Sequence, residues 1–289
     1  MVKSPSNLAA SIRQRLLNLA RKEGRVFDAV LVAYALERLI YRLSISSYHD
    51  QFVLKGGMLV TLWTKDPGRF TRDVDFLAFG EDVEETLKAT FADIMALEGD
   101  DGLLFDSTEI ISSNIRENQV YGGKRLRTTA YLGKTRIPIT IDLGFGDALS
   151  NPGFKIKYES LLALDSAMIR AYSPATVIAE KFQSLVVLGF ANSRMKDFYD
   201  LWAIPNCVHI NIEELCSSIE RTFARRETDI PTQRPDGLTP QFTIAPAKVA
   251  QWTAYAESTE LENTSLYEVS ETIWTYLAPV CQLLHSDSE

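Results

Sequence analysis

Cysteine is scarce: Cys207, Cys216 and Cys281 are the only three in 289 residues, and none lies in a CxxC spacing. An odd, scattered set excludes a disulfide framework and a thiolate zinc site, so any metal must be held by oxygen. Histidine is equally rare. His49, His209 and His285 share no metal-ligand spacing, and no Ser/His/Asp or Cys/His set for nucleophilic catalysis is visible. No apolar run approaches the ~18 residues needed to cross a bilayer, and residues 1–5 lack the apolar stretch of a secretory signal, so a cytoplasmic protein without membrane attachment is expected. Positive charge is also in deficit. Thirty Lys+Arg against 38 Asp+Glu leave a net charge of −8, which argues against a protein that coats nucleic acid through a general basic surface. A local concentration survives in Lys124, Arg125, Arg127, Lys134 and Arg136.

Apolar residues make up 46% of the chain, ample for a real core at this length. Leu8, Ile12, Leu16 and Leu19 recur at helical spacing, and Phe27, Val30, Leu31 and Tyr34 open a second apolar stripe that ends near Leu43. Short strand-like runs follow at 52–54, 73–79, 125–132 and 136–145, with a helical period over 83–97 between them. Gly133-Lys134 reads as a two-residue hairpin turn, and Gly122-Gly123 as another just before that hairpin. Beyond about Ser173 strand signals stop. Ser173-Pro174 is a helix N-cap with a first-turn proline, and Gly189 a stop, for a helix over 174–188. Further helices are expected at about 195–202, 211–225, 246–257 and 266–284, with 228–246 a linker or long loop. The chain reads as α+β with a mixed or antiparallel sheet and flanking helices over 1–170, followed by a mainly α-helical C-terminal lobe over 171–289.

The sharpest local feature is Thr71-Arg72-Asp73-Val74-Asp75-Phe76-Leu77. A strand there puts Asp73 and Asp75 on one face and Val74 and Phe76 on the other. Two crowded carboxylates are unfavourable unless a cation sits between them, and paired carboxylates suit Mg²⁺ with substrate phosphates completing the shell. In 137–145 the residues Ile137, Ile139, Ile141, Leu143 and Phe145 alternate strictly, so Asp142 faces the other way. A third carboxylate on a neighbouring strand is what a two-metal centre for phosphoryl transfer requires. Upstream, Lys55-Gly56-Gly57 closes a strand ahead of an apolar helical run. Such a bend lets backbone N–H groups and a helix N-terminus approach phosphate oxygens. The bland alternatives are a solvated strand end, an amphipathic strand and a tight turn.

Taken in order, these elements resemble the nucleotidyltransferase fold shared with DNA polymerase β. The wider text, YALERLIYRLSISSYHDQFVLKGGMLVTLW, RFTRDVDFL, ITIDLGFGD and AEKFQSLVVLGFANSRMKDFYDLW, is similar to the AbiEii family of nucleotidyltransferase toxins, which includes the MenT enzymes of type IV toxin–antitoxin systems. The resemblance spans roughly 27–202. It implies that Lys55, Gly56 and Gly57 form the phosphate-binding turn and that Asp73, Asp75 and Asp142 hold the metal, Mg²⁺ or Mn²⁺. It further implies that Lys181 grips the triphosphate of an NTP substrate and acts in catalysis with Asp200, and that Arg194, Lys196 and Asp197 complete nucleotide binding in the family's last motif. An antitoxin protein and the acceptor stem of tRNA are the implied partners. Transfer to a small molecule or a protein side chain, and a non-catalytic scaffold, are the other readings. Gly57 stands where several members carry Ser, and fifteen residues separate it from Asp73.

Residue chemistry alone leaves the last motif open. Lys181 shares a helical stripe with Val177, Leu185 and Leu188, so its amine needs an anionic partner or a path to water; a triphosphate or a snorkelling structural lysine both satisfy that. Arg194, Asp197 and Leu201 fall on one helix side, and Lys196 and Asp200 are spaced i,i+4, the pattern of surface ion pairs. Arg72 points away from Asp73.

Overall fold

The computed structural model describes residues 5–115, 122–146, 154–259 and 261–286. Asp147, at the end of the ITIDLGFGD stretch, lies outside them. The chain divides into two units. The first comprises Met1–Leu62, Phe70–Gly146 and Gly153–Ala171, and the second is built mainly from Trp63–Arg69 and Tyr172–Glu289.

In the first unit the two opening stripes are the helices α1 (Pro5–Glu23) and α2 (Phe27–Ile45). The strands are β1 (Phe52–Lys55), β2 (Val74–Ala78), β3 (Leu103–Phe105), β4 (Ile111–Ile115), β5 (Gly123–Leu132), β6 (Thr135–Phe145), β7 (Phe154–Tyr158) and β8 (Ala167–Ala171). Helix α3 (Gly57–Thr64) follows β1, and α4 (Glu84–Ala96) follows β2. The sheet runs β3-β5-β6-β2-β1-β8-β7, with β4 on β5. It is mixed: β2 and β6 run parallel, as do β1 and β8, and the other pairings are antiparallel. The Gly133-Lys134 bend joins β5 to β6 in the expected hairpin, with Leu132 opposite Thr135. Gly123 begins β5 opposite Gly144, and the residues just before Gly122, where the other expected turn falls, lie outside the described ones.

Alternation decides which face is covered. Leu54, Val74, Phe76, Ile137, Ile139, Ile141 and Leu143 are buried on one side. There the rings of Phe76, Phe52 and Phe91 of α4 cluster, Phe52 and Phe76 in a T-shaped pair and Phe52 and Phe91 tilted with centroids 5.2 Å apart. Helix α2 carries Arg38 and Arg42 into the interior, where both pair with Asp101, the Arg42 Nη1–Oδ2 distance being 2.6 Å. Two cations share that one carboxylate, and backbone carbonyls take further guanidinium N–H groups, Arg38 Nη1 reaching Asp165 O at 2.7 Å and Arg42 Nε reaching Leu97 O at 2.8 Å.

In the second unit Ser173 caps α5 (Pro174–Leu188), its hydroxyl accepting from the Thr176 amide, and Gly189 ends it. Then come α6 (Met195–Cys207), α7 (Ile212–Arg225), α8 (Pro240–Thr243), α9 (Pro246–Ala256) and α10 (Leu266–Ser286). Helix α6 outruns its expected end by five residues, to Cys207 from Trp202, passing through Pro205. The 228–246 segment is not a loose linker. It contains a short helical turn at Asp236–Leu238 and then α8, and it buries Leu238 and Phe242 completely, the latter stacked on Phe198 at 5.5 Å. Proline and glycine there shape packed turns rather than free chain. Among the described residues no helix is long and apolar enough to cross a membrane.

Candidate active site

Strand register in the first unit lines up four charged residues in one row across the sheet. Lys55 of β1 is opposite Asp75 of β2, Asp75 is opposite Asp142 of β6, and Asp142 is opposite Arg125 of β5. Neighbouring strands lie about 4.8 Å apart, so the Asp75 and Asp142 side chains start side by side on the same face. Asp73 sits one alternation step before Asp75, at the foot of β2, and its carboxylate accepts from the Thr71 hydroxyl at 2.5 Å. All three carboxylates are half-buried.

The diglycine bend touches this row directly. The Gly57 amide donates to Asp75 Oδ2 at 3.4 Å. Gly56 has φ +70°, and a Cβ placed there would fall 2.1 Å from the same oxygen. Only glycine lets the backbone turn this way and pass so close to a carboxylate. On the other flank, the Arg125 guanidinium grips Asp142 through two parallel bonds, Nε to Oδ1 at 2.7 Å and Nη2 to Oδ2 at 2.5 Å. Asp142, with Asp73 and Asp75 behind it, holds the Arg125 cation well above its ordinary range.

These residues fit an oxygen-ligated divalent cation by donor chemistry: adjacent carboxylates on one face, one steadied by a backbone N–H and one by a guanidinium. Among the described residues no group of three or more His, Cys, Asp and Glu is drawn together tightly enough to form a ready metal cage. One of the carboxylates, Asp142, is already ion-paired with Arg125.

A second charged cluster lies wholly within the second unit. Asp200 on α6 is completely buried and is held by two cations. Arg69 forks onto it, Nε to Oδ1 at 2.6 Å and Nη2 to Oδ2 at 2.8 Å. Lys181 of α5 reaches Asp200 Oδ2 at 2.8 Å and Asp197 Oδ1 at 2.5 Å. Burial opposes ionisation of Asp200, but Arg69 and then Lys181 outweigh it and bring the carboxyl down to about 2. Lys181 is pushed up by Asp197 and Asp200 against the same burial. This corrects the surface ion-pair reading of 194–200: Asp197 and Asp200 face inward, and Asp200 pairs with Arg69 and Lys181 rather than with the exposed Lys196. Arg194 is exposed and reaches the Ser184 hydroxyl at 3.2 Å. Lys181 has the anionic partners its setting demands, and they are protein carboxylates.

A family model described as the nucleotidyl transferase AbiEii toxin of type IV toxin–antitoxin systems matches residues 38–278. The chain belongs to the AbiEii family. It is accordingly a nucleotidyltransferase, and the β-row lies within the matched span. Among solved structures, Helicobacter pylori JHP933 is similar at 13% identity over 91% of this chain and 96% of that one, with a TM-score of 0.49. A second H. pylori structure, described as a proposed nucleotidyltransferase, is 14% identical over 90% and 95%, with a TM-score of 0.46. No curated protein matches the chain.

Two AbiEii-chain residues escape the sequence reading. Arg125 is visible there only as part of a basic cluster, and Arg69 only as the unassigned first residue of the RFTRDVDFL stretch. The first was within reach: counting back seven positions on each arm from the Leu132–Thr135 pair arrives at Arg125 opposite Asp142. Arg69 carried no such signal, because its partner is 131 residues away. The basic cluster also divides. Arg125, Arg127 and Arg136 share the face of Asp142 by register, whereas Lys124 points to the opposite face and bonds Asn114 at 2.8 Å.

Proposed function

We propose that this AbiEii nucleotidyltransferase moves a nucleoside monophosphate from an NTP to the 3′ end of tRNA, blocking aminoacylation and growth, with Asp73, Asp75 and Asp142 as the ligands of Mg²⁺ or Mn²⁺. The Lys55–Asp75–Asp142–Arg125 row beside the diglycine bend carries this reading. Bound there, the divalent cation would neutralise triphosphate charge and lower the barrier to attack by the acceptor oxygen. The chain's own residues supply the rest. Gly57 N–H orients Asp75, and Lys55 and the start of α3 offer positive charge to phosphate oxygens. Asp142 completes the ligand set or takes the acceptor hydroxyl's proton. Lys181 offers its ammonium to the triphosphate, Asp200 holds that ammonium in place, and Arg194, Lys196 and Asp197 complete the nucleotide's surroundings.

The decisive experiment incubates the protein with each of four α-labelled NTPs and total tRNA, and in parallel with protein and small-molecule pools, comparing native protein with Asp75→Ala. Label on tRNA that falls about a hundredfold or more in the variant supports the reading. Label on a small molecule or a protein moves the acceptor and keeps the enzyme class. Equal growth arrest by native and Asp75→Ala protein would favour a scaffold acting without chemistry. A type IV antitoxin, co-expressed, should relieve the arrest.

A further inference from the structure

The buried quartet of Arg69, Asp200, Lys181 and Asp197 contains one cation with no place in the proposed chemistry. Arg69 is 3% exposed and Asp200 not at all, whereas Lys181 keeps 13% of its side chain open. The four formal charges cancel. Each Asp200 oxygen takes one Arg69 N–H in planar fork geometry, and only Oδ2 is shared with Lys181. Lys181 already bonds one oxygen each of Asp197 and Asp200; were Arg69 absent, it would be the sole cation for two carboxylates in a low-dielectric pocket, and the uncompensated negative charge would hold the ammonium more tightly.

The backbone that presents Arg69 is built to hold it still. The Arg69 amide donates to Asp66 O at 3.1 Å, and the Gly68 amide to Asp66 Oδ1 at 2.7 Å. The Tyr199 hydroxyl of α6 donates to Asp66 Oδ2 at 2.6 Å. Gly68 passes so close to the chain after α9 that a Cβ would lie 1.6 Å from Ser258 O. A turn closed by two bonds of its own, tied to α6 through Tyr199 and packed against the chain after α9, is more than a lone surface arginine needs.

We infer that Arg69 is a positioning residue for nucleotide binding: by taking both oxygens of Asp200 it leaves the Lys181 ammonium only partly engaged, with a donor available to an anionic phosphate group of the NTP. This rests on the proposed role of Lys181 at the triphosphate. Arg69 itself touches no substrate.

The test is a double-variant cycle on NTP binding, read by equilibrium dialysis without acceptor, using the full chain with Arg69→Gln, Lys181→Ala and the pair together. Lys181→Ala should weaken binding about tenfold, the value of one charge-assisted hydrogen bond. Arg69→Gln should weaken it by a similar factor, and the pair should be no worse than either alone, because both act through one ammonium. Losses that multiply, or an Arg69→Gln protein that melts lower yet binds NTP normally, overturn the inference and leave Arg69 a structural ion pair. If Lys181→Ala binds NTP as well as native protein, the proposed role of Lys181 fails and takes the inference with it. Arg69→Lys keeps the charge without the fork and serves if the glutamine variant does not fold. Binding weakened more than about threefold by this substitution, at unchanged circular dichroism, supports positioning by the fork, and native binding contradicts it.

Discussion

Gly56 sets where the Asp75 carboxylate can lie, because its positive φ and missing Cβ leave the space that Oδ2 fills. Gly56→Ala must displace that side chain and strain the bend. A left-handed non-glycine residue costs about 1–2 kcal/mol, a few degrees of melting temperature, whereas a misplacement of about 1 Å at a reacting centre costs on the order of a hundredfold in rate. The expected outcome is a protein that still melts cooperatively and has lost about two orders of magnitude in kcat; near-native activity would mean that Asp75 is not held by this bend. Arg125 makes the opposite kind of prediction. It neutralises Asp142, so Arg125→Gln should deepen the negative potential of the row and lower the Mg²⁺ concentration for half-maximal activity by about fivefold, the effect of roughly 1 kcal/mol between partly solvated charges. A Mg²⁺ titration of the variant that shifts the other way, or not at all, would show that Arg125 does not compete for the carboxylate. The acids were legible because β alternation assigns faces from sequence alone. The cations were less so: Arg125 needed the hairpin count, and Arg69 needed the tertiary fold.

Long periodic elements were readable, and among the short strands β1 and β2 were readable while β3 and β8 were not. Helices α1, α2, α5, α7, α9 and α10 and the β5–β6 hairpin carry their periods over two or more turns or many alternations, which propensity and burial reinforce together. Strands β3 and β8 span three and five residues and owe their existence to neighbours supplied by distant chain. Phe154-Lys155-Ile156-Lys157-Tyr158 does alternate, yet it pairs only with β8 at the sheet edge. Helix α2 shows what periodicity hides, since its inward face carries Glu37 as well as Arg38 and Arg42. The Glu37 carboxylate accepts from the Ser160 hydroxyl at 2.7 Å and the Leu161 amide at 2.8 Å, yet burial dominates and pushes the carboxyl from 4.5 up to about 7. A raised acid pKa means that the folded state binds the proton more tightly than the unfolded chain. The contribution is therefore complete below about pH 4.5 and lost as pH rises through about 7, an effect of up to roughly 3 kcal/mol. Melting temperature should fall between pH 5 and pH 8, and Glu37→Gln, which cannot ionise, should flatten that fall. Parallel pH profiles for native protein and variant would remove Glu37 as its source.

At the scale of the whole chain, the net charge of −8 opposes association with a polyanion, so attraction to RNA has to come from local cations. Register identifies them. Arg127 and Arg136 lie on the same face of the β5–β6 hairpin as Asp142, and both are exposed. Arg125 is already committed to Asp142, and Lys124 faces the other way. If tRNA is the acceptor, these two arginines are the phosphate contacts nearest the carboxylate row on this hairpin. Each contact contributes about 0.7 to 0.9 to the slope of log affinity against log salt. Arg127→Ala/Arg136→Ala should therefore flatten the slope for tRNA by about 1.5 while leaving NTP binding by dialysis unchanged, since neither residue belongs to the row or to the buried quartet. A slope identical to native would place the RNA contact elsewhere. Equal loss of NTP binding would instead mean that the hairpin face serves the nucleotide, which the net negative charge permits as readily and which would point to an acceptor smaller than RNA.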